Sequence, residues 1–384
     1  MIPILYEPET TANVDYTSTI GIGTLTDCVS CHVVEERNGE YYMEMTYPVG
    51  GAIWDKIAAG YIIKAVPSDG AAEQLFRITS VRPLLTGRIE ITAEHISRQA
   101  KYIAVRPITG QYDCISLISA LRSRIVHVGS SGQYDAMGGL SIVCYGASDT
   151  ASVNIRTPRT LMETLMGAAG SMTDIWNCEF GYDNMGRTFH VYTASGRGSV
   201  RDIGITYGVN MTNLDIENAI NANFNAVYGY YYDSNSRTYV SSEYAIPADT
   251  QYEMGAFRCR TKIIDFTTDY EDSVPSAADL RTKAASYAAR NGSAGPDFTA
   301  KIAFAPTWQS LDYATIADGA RINLCDTVPI TYEKYGITLT AKVIKTDFDV
   351  LTERYRSIEV GTAKKNLGKL LAQTAKSAGV SVYR

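Results

Sequence analysis

The sequence predicts an α+β chain built mainly of antiparallel β-structure, and three observations carry that expectation. Tyrosine supplies 27 residues against 9 Phe and 3 Trp; it favours strands and half-wet surfaces, where the ring is buried and the hydroxyl stays solvated. Short runs with alternating apolar and polar residues recur near both ends of the chain. Between two of them lies Asn38-Gly39, a strong hairpin signal because a two-residue turn requires φ > 0 at both positions. The length of 384 residues corresponds to two or three domains at ~150 residues each. With 45% hydrophobic and 20% charged residues, the chain can bury real cores, which excludes disorder as its main state. The formal charge of −6 has the wrong sign for a general nucleic-acid binder.

Taken in order, residues 1–105 read as antiparallel β, a barrel or a sandwich. After the Asn38-Gly39 turn, Tyr41, Met43, Met45 and Tyr47 alternate with Tyr42, Glu44 and Thr46, the period of a strand with one buried face. Further strands are expected at Tyr61–Val66, Phe76–Val81 and Arg88–Ala93, with a turn at Thr86-Gly87. Residues 106–210 read as mixed α/β. Asp113 caps a helix from Cys114 to about Val126, and Thr157-Pro158 reads as a helix start, an N-cap followed by proline. Leu161, Met162, Leu165 and Met166 form an apolar stripe of core type, and Glu179–Thr193 returns to strand around a turn at Asp183-Asn184-Met185-Gly186. Residues 211–325 are Tyr- and Asn-rich, with a hairpin across Tyr228–Tyr232 and Thr238–Val240. They include a helix opened by a capping box at Ser276-Ala277-Ala278-Asp279 and stopped at Asn291-Gly292. Residues 326–360 are strands, and 361–384 form a basic tail or helix carrying Lys364, Lys365, Lys369, Lys376 and Arg384 without an acid.

A weak internal echo links the two ends. Ile78, Ser80, Leu84, Leu85, Thr86 and Arg88 match Ile344, Thr346, Val350, Leu351, Thr352 and Arg354 at a constant offset, and Ile89-Glu90-Ile91 recurs as Ile358-Glu359-Val360.

Motifs that could carry chemistry are sparse. The N-terminus has neither the basic nor the apolar stretch of an export signal, and no run approaches the ~20 apolar residues of a membrane span. Seven scattered cysteines (Cys28, Cys31, Cys114, Cys144, Cys178, Cys259 and Cys325) are expected as free thiols of a protein made in a reducing cytoplasm. Cys28-Val29-Ser30-Cys31-His32 matches the haem-attachment pattern. It runs directly into Val33-Val34-Glu35-Glu36-Arg37 and the turn, so it is expected to be a plain strand and not a haem or zinc site. His32, His95, His127 and His190 stand far apart. The acidic group Asp265, Asp269, Glu271 and Asp272 lacks the alternation and glycine of a calcium loop. Asp347 and Asp349, two apart on one strand face, lack the polar surroundings of an acid–base pair. The sequence offers no catalytic, cofactor or metal residue, and the chain is not expected to be an enzyme.

An ordered set of short segments does carry a resemblance. It comprises Met1–Tyr6, Gly23–Cys28, Glu35–Tyr41, Glu44–Pro48, Phe76-Arg77-Ile78, Ala93–Ser97, Glu179–Asn184, Arg197-Gly198 with Ile205–Gly208, Leu324–Val328, and Val343–Thr346 with Glu353-Arg354-Tyr355. Together they resemble the N-terminal region of phage minor structural proteins, also called tail-associated lysins or prophage tail endopeptidases, of siphophages that infect Gram-positive hosts. The resemblance implies a baseplate-hub fold with two related β-barrel domains plus smaller α/β inserts. Residues 1–105 would be the first barrel, and 326–360 would complete the second. It also implies a homotrimer at the virion tail tip, assembled in the host bacterial cytoplasm. That trimer would contact the distal tail protein ring and the tape-measure protein, with DNA only in transit and receptor-binding or tip parts at the basic tail. Because a duplicated barrel presents six similar surfaces per trimer, it matches a three-fold tip to a six-fold tube, and the internal echo fits that arrangement. Cys325 stands where these proteins usually carry glycine. The sequence reaches only just past the hub region, so no lytic domain is expected. The alternatives are a peptidoglycan-degrading lysin, resting on Asp347 and Asp349, and a carbohydrate-binding adhesin, resting on Tyr231 and Tyr232.

Overall fold

Strand alternation places the core of the first segment. In the computed structural model, which describes residues 2–8, 16–17, 21–129, 136–137, 139–167, 170–193, 196–202, 204–219, 224–248, 259–270, 273–291, 297–304, 321–335 and 337–361, Tyr41, Met43, Met45 and Tyr47 are buried and the residues between them are not. The chain divides into two units. The first comprises 1–213, 302–328 and 343–359, and the second 214–301, 329–342 and 360–384. The basic tail, apart from its first residue, lies outside the described residues, as do Glu271 and Asp272.

The first unit begins with seven strands: β1 (Ile4–Tyr6), β2 (Gly23–Thr24), β3 (Ser30–Glu36), β4 (Tyr41–Pro48), β5 (Ile62–Ala65), β6 (Gln74–Leu84) and β7 (Arg88–His95). They pair antiparallel in the order β3–β4–β7–β6–β5–β1–β2. A register shift between Ile78 and Ser80 leaves Thr79 as an extra residue in β6, which bends the strand and increases its twist. The β3–β4 turn is wider than the two-residue turn expected from Asn38-Gly39. Glu35 pairs with Tyr41, the Glu36 N–H donates to the Glu40 carbonyl at 2.8 Å and the Gly39 N–H to the Glu36 carbonyl at 3.0 Å. Only Asn38 of that pair is left-handed, at φ 55°.

The mixed segment follows with β8 (Ala104–Val105), β9 (Ile108–Tyr112), α1 (Cys114–Arg122), β10 (Ser141–Tyr145), β11 (Ala151–Ile155), β12 (Arg159–Thr160), α2 (Leu161–Leu165), α3 (Met172–Trp176), β13 (Glu179–Asp183) and β14 (Thr188–Tyr192). Strand β14 pairs parallel with β10 and antiparallel with β13. Asp113 caps α1 in a reciprocal box with Ser116. The helix is shorter than its sequence pattern, because Ile125 leaves it to bridge Val105. Helix α2 starts three residues later than Thr157-Pro158 indicates. Its cap is Thr160, in a capping box with Glu163, which satisfies two free amides at once where Thr157 would satisfy one. Leu161, Met162, Leu165 and Met166 are core, packed with Leu117, Phe180 and Phe189.

After β15 (Ile205–Thr206) and β16 (Met211–Ala219), the second unit contains β17 (Ala226–Asp233), β18 (Thr238–Ser241), β19 (Ile246–Pro247), β20 (Thr261–Asp265) and α4 (Ala277–Asn291). Strand β17 pairs antiparallel with β18 and β19 and parallel with β20. Leu280, Ala284 and Ala288 of α4 pack with Val227 and Phe266. Gly229 permits this, since a Cβ there would lie 2.6 Å from the Phe266 ring. Ser276 and Asp279 make the expected box at the start of α4.

The remaining strands are β21 (Asp297–Phe304), β22 (Thr327–Tyr332), β23 (Ile337–Asp349) and β24 (Arg354–Gly361). In the first unit, β23 pairs antiparallel with β3, Lys345 opposite Glu36 and Asp349 opposite His32, and β24 lies beside β23. Among the described residues of this unit no strand pairing closes the sheet into a ring. The sequence echo falls on two hairpins, β6–β7 and β23–β24. Their second strands start at the matched Arg88 and Arg354, and their turns carry left-handed residues at the matched Gly87 (φ 74°) and Glu353 (φ 55°).

Asn38 does more than turn the chain. Its side-chain Nδ2 donates to the Cys178 carbonyl at 2.8 Å and its Oδ1 accepts from the Phe180 N–H at 3.0 Å, so the amide stands in for a strand partner along β13. Replacing Asn38 by alanine removes both bonds and places an unfavourable residue at positive φ. Asn38→Ala is therefore expected to cost about 2 kcal/mol in a denaturant unfolding experiment, and Asn38→Gly about half of that, because glycine keeps the turn.

Candidate functional site

Among the described residues, a buried polar cluster lies in the first unit, where β3 and β13 meet the 197–201 and 321–326 segments. Strand β3 carries Glu35 inward, 4% exposed. An ionised carboxylate there is costly unless paired. Its partner is Arg197, whose guanidinium lies 2.7 Å from Glu35 Oε1 and also donates to the Phe180 carbonyl at 3.0 Å. The Arg197 backbone N–H donates to Glu179 Oε2 at 2.6 Å, and Glu179 faces Arg37 at 3.4 Å. Burial opposes the charge of Arg197, but Glu35 beside it more than offsets this and raises its pKa.

A second carboxylate closes the cluster. Asp326, 2% exposed, accepts from the Ser199 N–H at 2.8 Å, from Arg201 Nε at 2.7 Å and from the Asn323 N–H at 2.8 Å. These segments approach so closely that a Cβ on Gly198 would lie 1.9 Å from the Cys325 carbonyl oxygen. Cys325 itself is left-handed at φ 71°, a conformation that glycine adopts freely, so the chain accepts the strain of a non-glycine residue there. A cavity of about 270 Å³ opens beside the cluster, lined among others by Glu35, Asp69, Arg197, Arg201 and Asp326. Both arginines are already held by carboxylates, so the arrangement is a charge-balanced lock and not a nucleophile with its base.

Beside it lies an aromatic cluster around His95. The imidazole is buried, stacks on Tyr41 with centroids 3.9 Å apart and packs edge-on to Phe76. Its Nδ1 meets Ser97 Oγ at 2.8 Å and its Nε2 meets Gln74 Oε1 at 3.1 Å. Burial, then the charges of Arg98 and Arg197, hold its pKa well below the usual histidine value. Burial likewise pushes the Tyr182 hydroxyl up to about 12.

The sequence candidates are dispersed. Cys28, Cys31 and His32 do not converge as a set of three. The Cys28 side chain hydrogen-bonds Cys31, and that contact with burial holds the Cys31 thiol well above its usual pKa, but His32 takes no part. Cys31 and His32 are neighbours on β3 and point to opposite faces, with Cys31 buried and His32 set between Asp347 at 3.2 Å and Glu44 at 3.3 Å. Asp347 also faces Arg356 at 3.6 Å, while Asp349 caps its own turn by accepting from the Leu351 and Thr352 amides. Asp265 accepts from Tyr230 and Thr267, and Asp269 pairs with Lys283 at 2.8 Å. His127 lies near the Ala136 amide and His190 near Asp183. Tyr231 and Tyr232 are split by strand alternation, Tyr231 packing against the α4 core and Tyr232 exposed. Among the described residues, no group of three or more His, Cys, Asp or Glu could hold a metal ion, and no helix is long and apolar enough to cross a membrane.

What sequence reasoning missed was the meeting point. Glu35, Glu179, Arg197 and Asp326 each belong to a separate segment of the family resemblance, and the fold brings these four segments onto one network.

Comparison with solved structures finds this arrangement of elements in prophage tail proteins. A prophage tail protein, gp18 from Listeria monocytogenes, superposes with a TM-score of 0.59 at 14% identity, covering 99% of this chain and 100% of its own. The chain has the fold of prophage tail proteins. The 43 kDa tail protein of prophage MuSo2 from Shewanella oneidensis follows at TM-score 0.57 and 11% identity over 95% of this chain and 98% of that one. A tail protein from Neisseria meningitidis gives 0.52 at 10% identity over 86% and 90%. No family model matches the chain, and no curated protein matches it by sequence.

Two outcomes follow from the cluster. Arg197→Met leaves Glu35 buried without its counter-charge and is expected to cost about 3 kcal/mol by chemical denaturation, with part recovered in the Arg197→Met, Glu35→Leu double variant. For His95 the unfolded chain binds a proton near the ordinary value of 6.5 and the folded chain does not. Stability from this group is therefore complete above about pH 6.5 and falls as pH drops from there toward the lower folded value. Denaturation midpoints taken between about pH 7 and 5 should lose this part of their slope in His95→Gln.

Proposed function

We propose that the chain is a structural component of a phage or prophage tail tip, a homotrimeric hub of the kind found in siphophages. In this reading it closes the distal tail tube, joins the distal tail protein ring to tip or receptor-binding parts, meets the end of the tape-measure protein, and gates DNA exit during ejection. The observation that carries the proposal is the match to a prophage tail protein over 99% of this chain and 100% of the other. The paired hairpins support it, since matched turns at Gly87 and Glu353 are what two related β-barrels in one chain would leave, and two barrels per subunit reconcile a three-fold tip with a six-fold tube. The mild negative charge fits a channel that passes DNA without holding its backbone. The hub is assigned no catalytic activity: the buried charges of the Glu35–Arg197–Asp326 cluster are occupied with one another.

Native mass measurement, alone and with purified distal tail protein, tests this. Three copies joined to the distal tail ring are expected, as is three-fold density at the tail tip in particle images. A chain that stays monomeric at every concentration, with and without that ring, overturns the hub.

A further inference from the structure

We propose that Cys114 and Cys144 form a modification site, a thiol pair that closes to a disulfide when the folded protein meets a small-molecule disulfide oxidant. The two residues are remote in sequence and belong to different elements. Cys114 is the first residue of α1, anchored by its backbone N–H to Ser148 Oγ at 2.7 Å, and Cys144 lies on β10, held by parallel pairing to Val191 of β14. Their Sγ atoms are 2.8 Å apart, less than ~1 Å beyond the ~2.05 Å of a disulfide bond. Both anchors are regular elements of the first unit, so the approach is fixed by the fold.

The pair is asymmetric in a way that sets the order of events. Cys114 is buried and Cys144 half-buried, so an oxidant reaches Cys144 first. Burial raises both thiols. The contact between them raises Cys114 further and lowers Cys144, because the Cys114 thiol can donate to a Cys144 thiolate. Cys144 is thus the attacking sulfur. In the first step its thiolate attacks one sulfur of the oxidant, forming a mixed disulfide and releasing one small thiol. In the second, the deprotonated Cys114 attacks Cys144 Sγ, forming the protein disulfide and releasing the second small thiol. Two protein thiols lose two electrons and two protons, and the oxidant is reduced to two thiols. Cys178 is buried in the same core, and nothing places its sulfur within reach of an incoming oxidant. The chain is made with free thiols, and the bond would form only after it leaves a reducing compartment. It would then tie α1 to β10 across about 30 residues of intervening sequence.

The test uses the full chain, purified reduced and exposed under native conditions to oxidised glutathione, then digested without reduction. The expected product is a Cys114–Cys144 linked peptide pair. It should come with a gain in Tm of about 5 °C or more that a dithiol reductant reverses. Cys144→Ser should give neither the link nor the shift, and Cys114→Ser should stop at a glutathione adduct on Cys144. Absence of the Cys114–Cys144 link at saturating oxidant, a link to Cys178 in its place, or a lasting glutathione adduct on Cys144 in the unmodified sequence overturns the proposal.

Discussion

The first unit depends on one electrostatic constraint, the burial of Glu35. A carboxylate placed inside a sheet must find a counter-charge, and among the described residues Arg197, brought back across the intervening mixed segment, supplies it. Once there, Arg197 also satisfies the Phe180 carbonyl and offers its own N–H to Glu179. Strand β3, strand β13 and the 197–201 segment are thereby held by a single side chain and its backbone. Asp326 repeats the logic from the far end of the sequence, accepting from Ser199, Arg201 and Asn323. Hydrophobic burial supplies most of the driving force for such a unit, but it is non-directional. The buried charges select which segments meet.

The aromatic cluster beside the network follows from the same placement. Tyr41 directly follows the turn that begins after Glu35, and β4 carries its ring onto His95. A neutral imidazole fits there because burial disfavours the charged form and Arg98 and Arg197 add positive charge nearby. Gly186, left-handed at φ 85°, lets the β13–β14 turn sit against the imidazole, where a Cβ would come within 2.5 Å of it. Charge, ring stacking and turn geometry thus agree on one arrangement, the local consistency expected of a uniquely folded chain. The charged groups of this region pair with one another, Glu35 with Arg197 and Asp326 with Arg201.

Much of the fold was legible in local chemistry. The period-2 pattern of Tyr41 to Tyr47, the Asp113 cap, the Ser276–Asp279 box and the turn at Gly87 all act over a few residues, so the sequence displays them directly. Where reading failed, a competing local interaction had won. Thr160 with Glu163 outbid Thr157-Pro158 as a helix start, and Asn38 spent its amide on β13 within a wider turn. Tyr231 and Tyr232 were adjacent in sequence, and alternation sent them to different sides of β17. The buried lock was not legible as a site, because its members lie in four segments and no spacing rule connects them. Their only trace was that each belonged to the ordered set of family-like motifs.

By itself the sequence determined the strand-rich class, most element positions, the absence of a recognisable catalytic motif and the pairing of two distant hairpins through a faint echo. These rest on interactions between near neighbours, or on a pattern that residue order displays directly. Only the tertiary structure decided that Glu35, Glu179, Arg197 and Asp326 share one buried network, that Cys325 accepts a left-handed backbone against Gly198, and that Cys114 and Cys144 touch. Each of these depends on the strand order of the sheets, which brings together residues far apart in the chain. Register and burial set that order through the summed cost of leaving charges unpaired and apolar faces wet, a quantity that no local pattern contains.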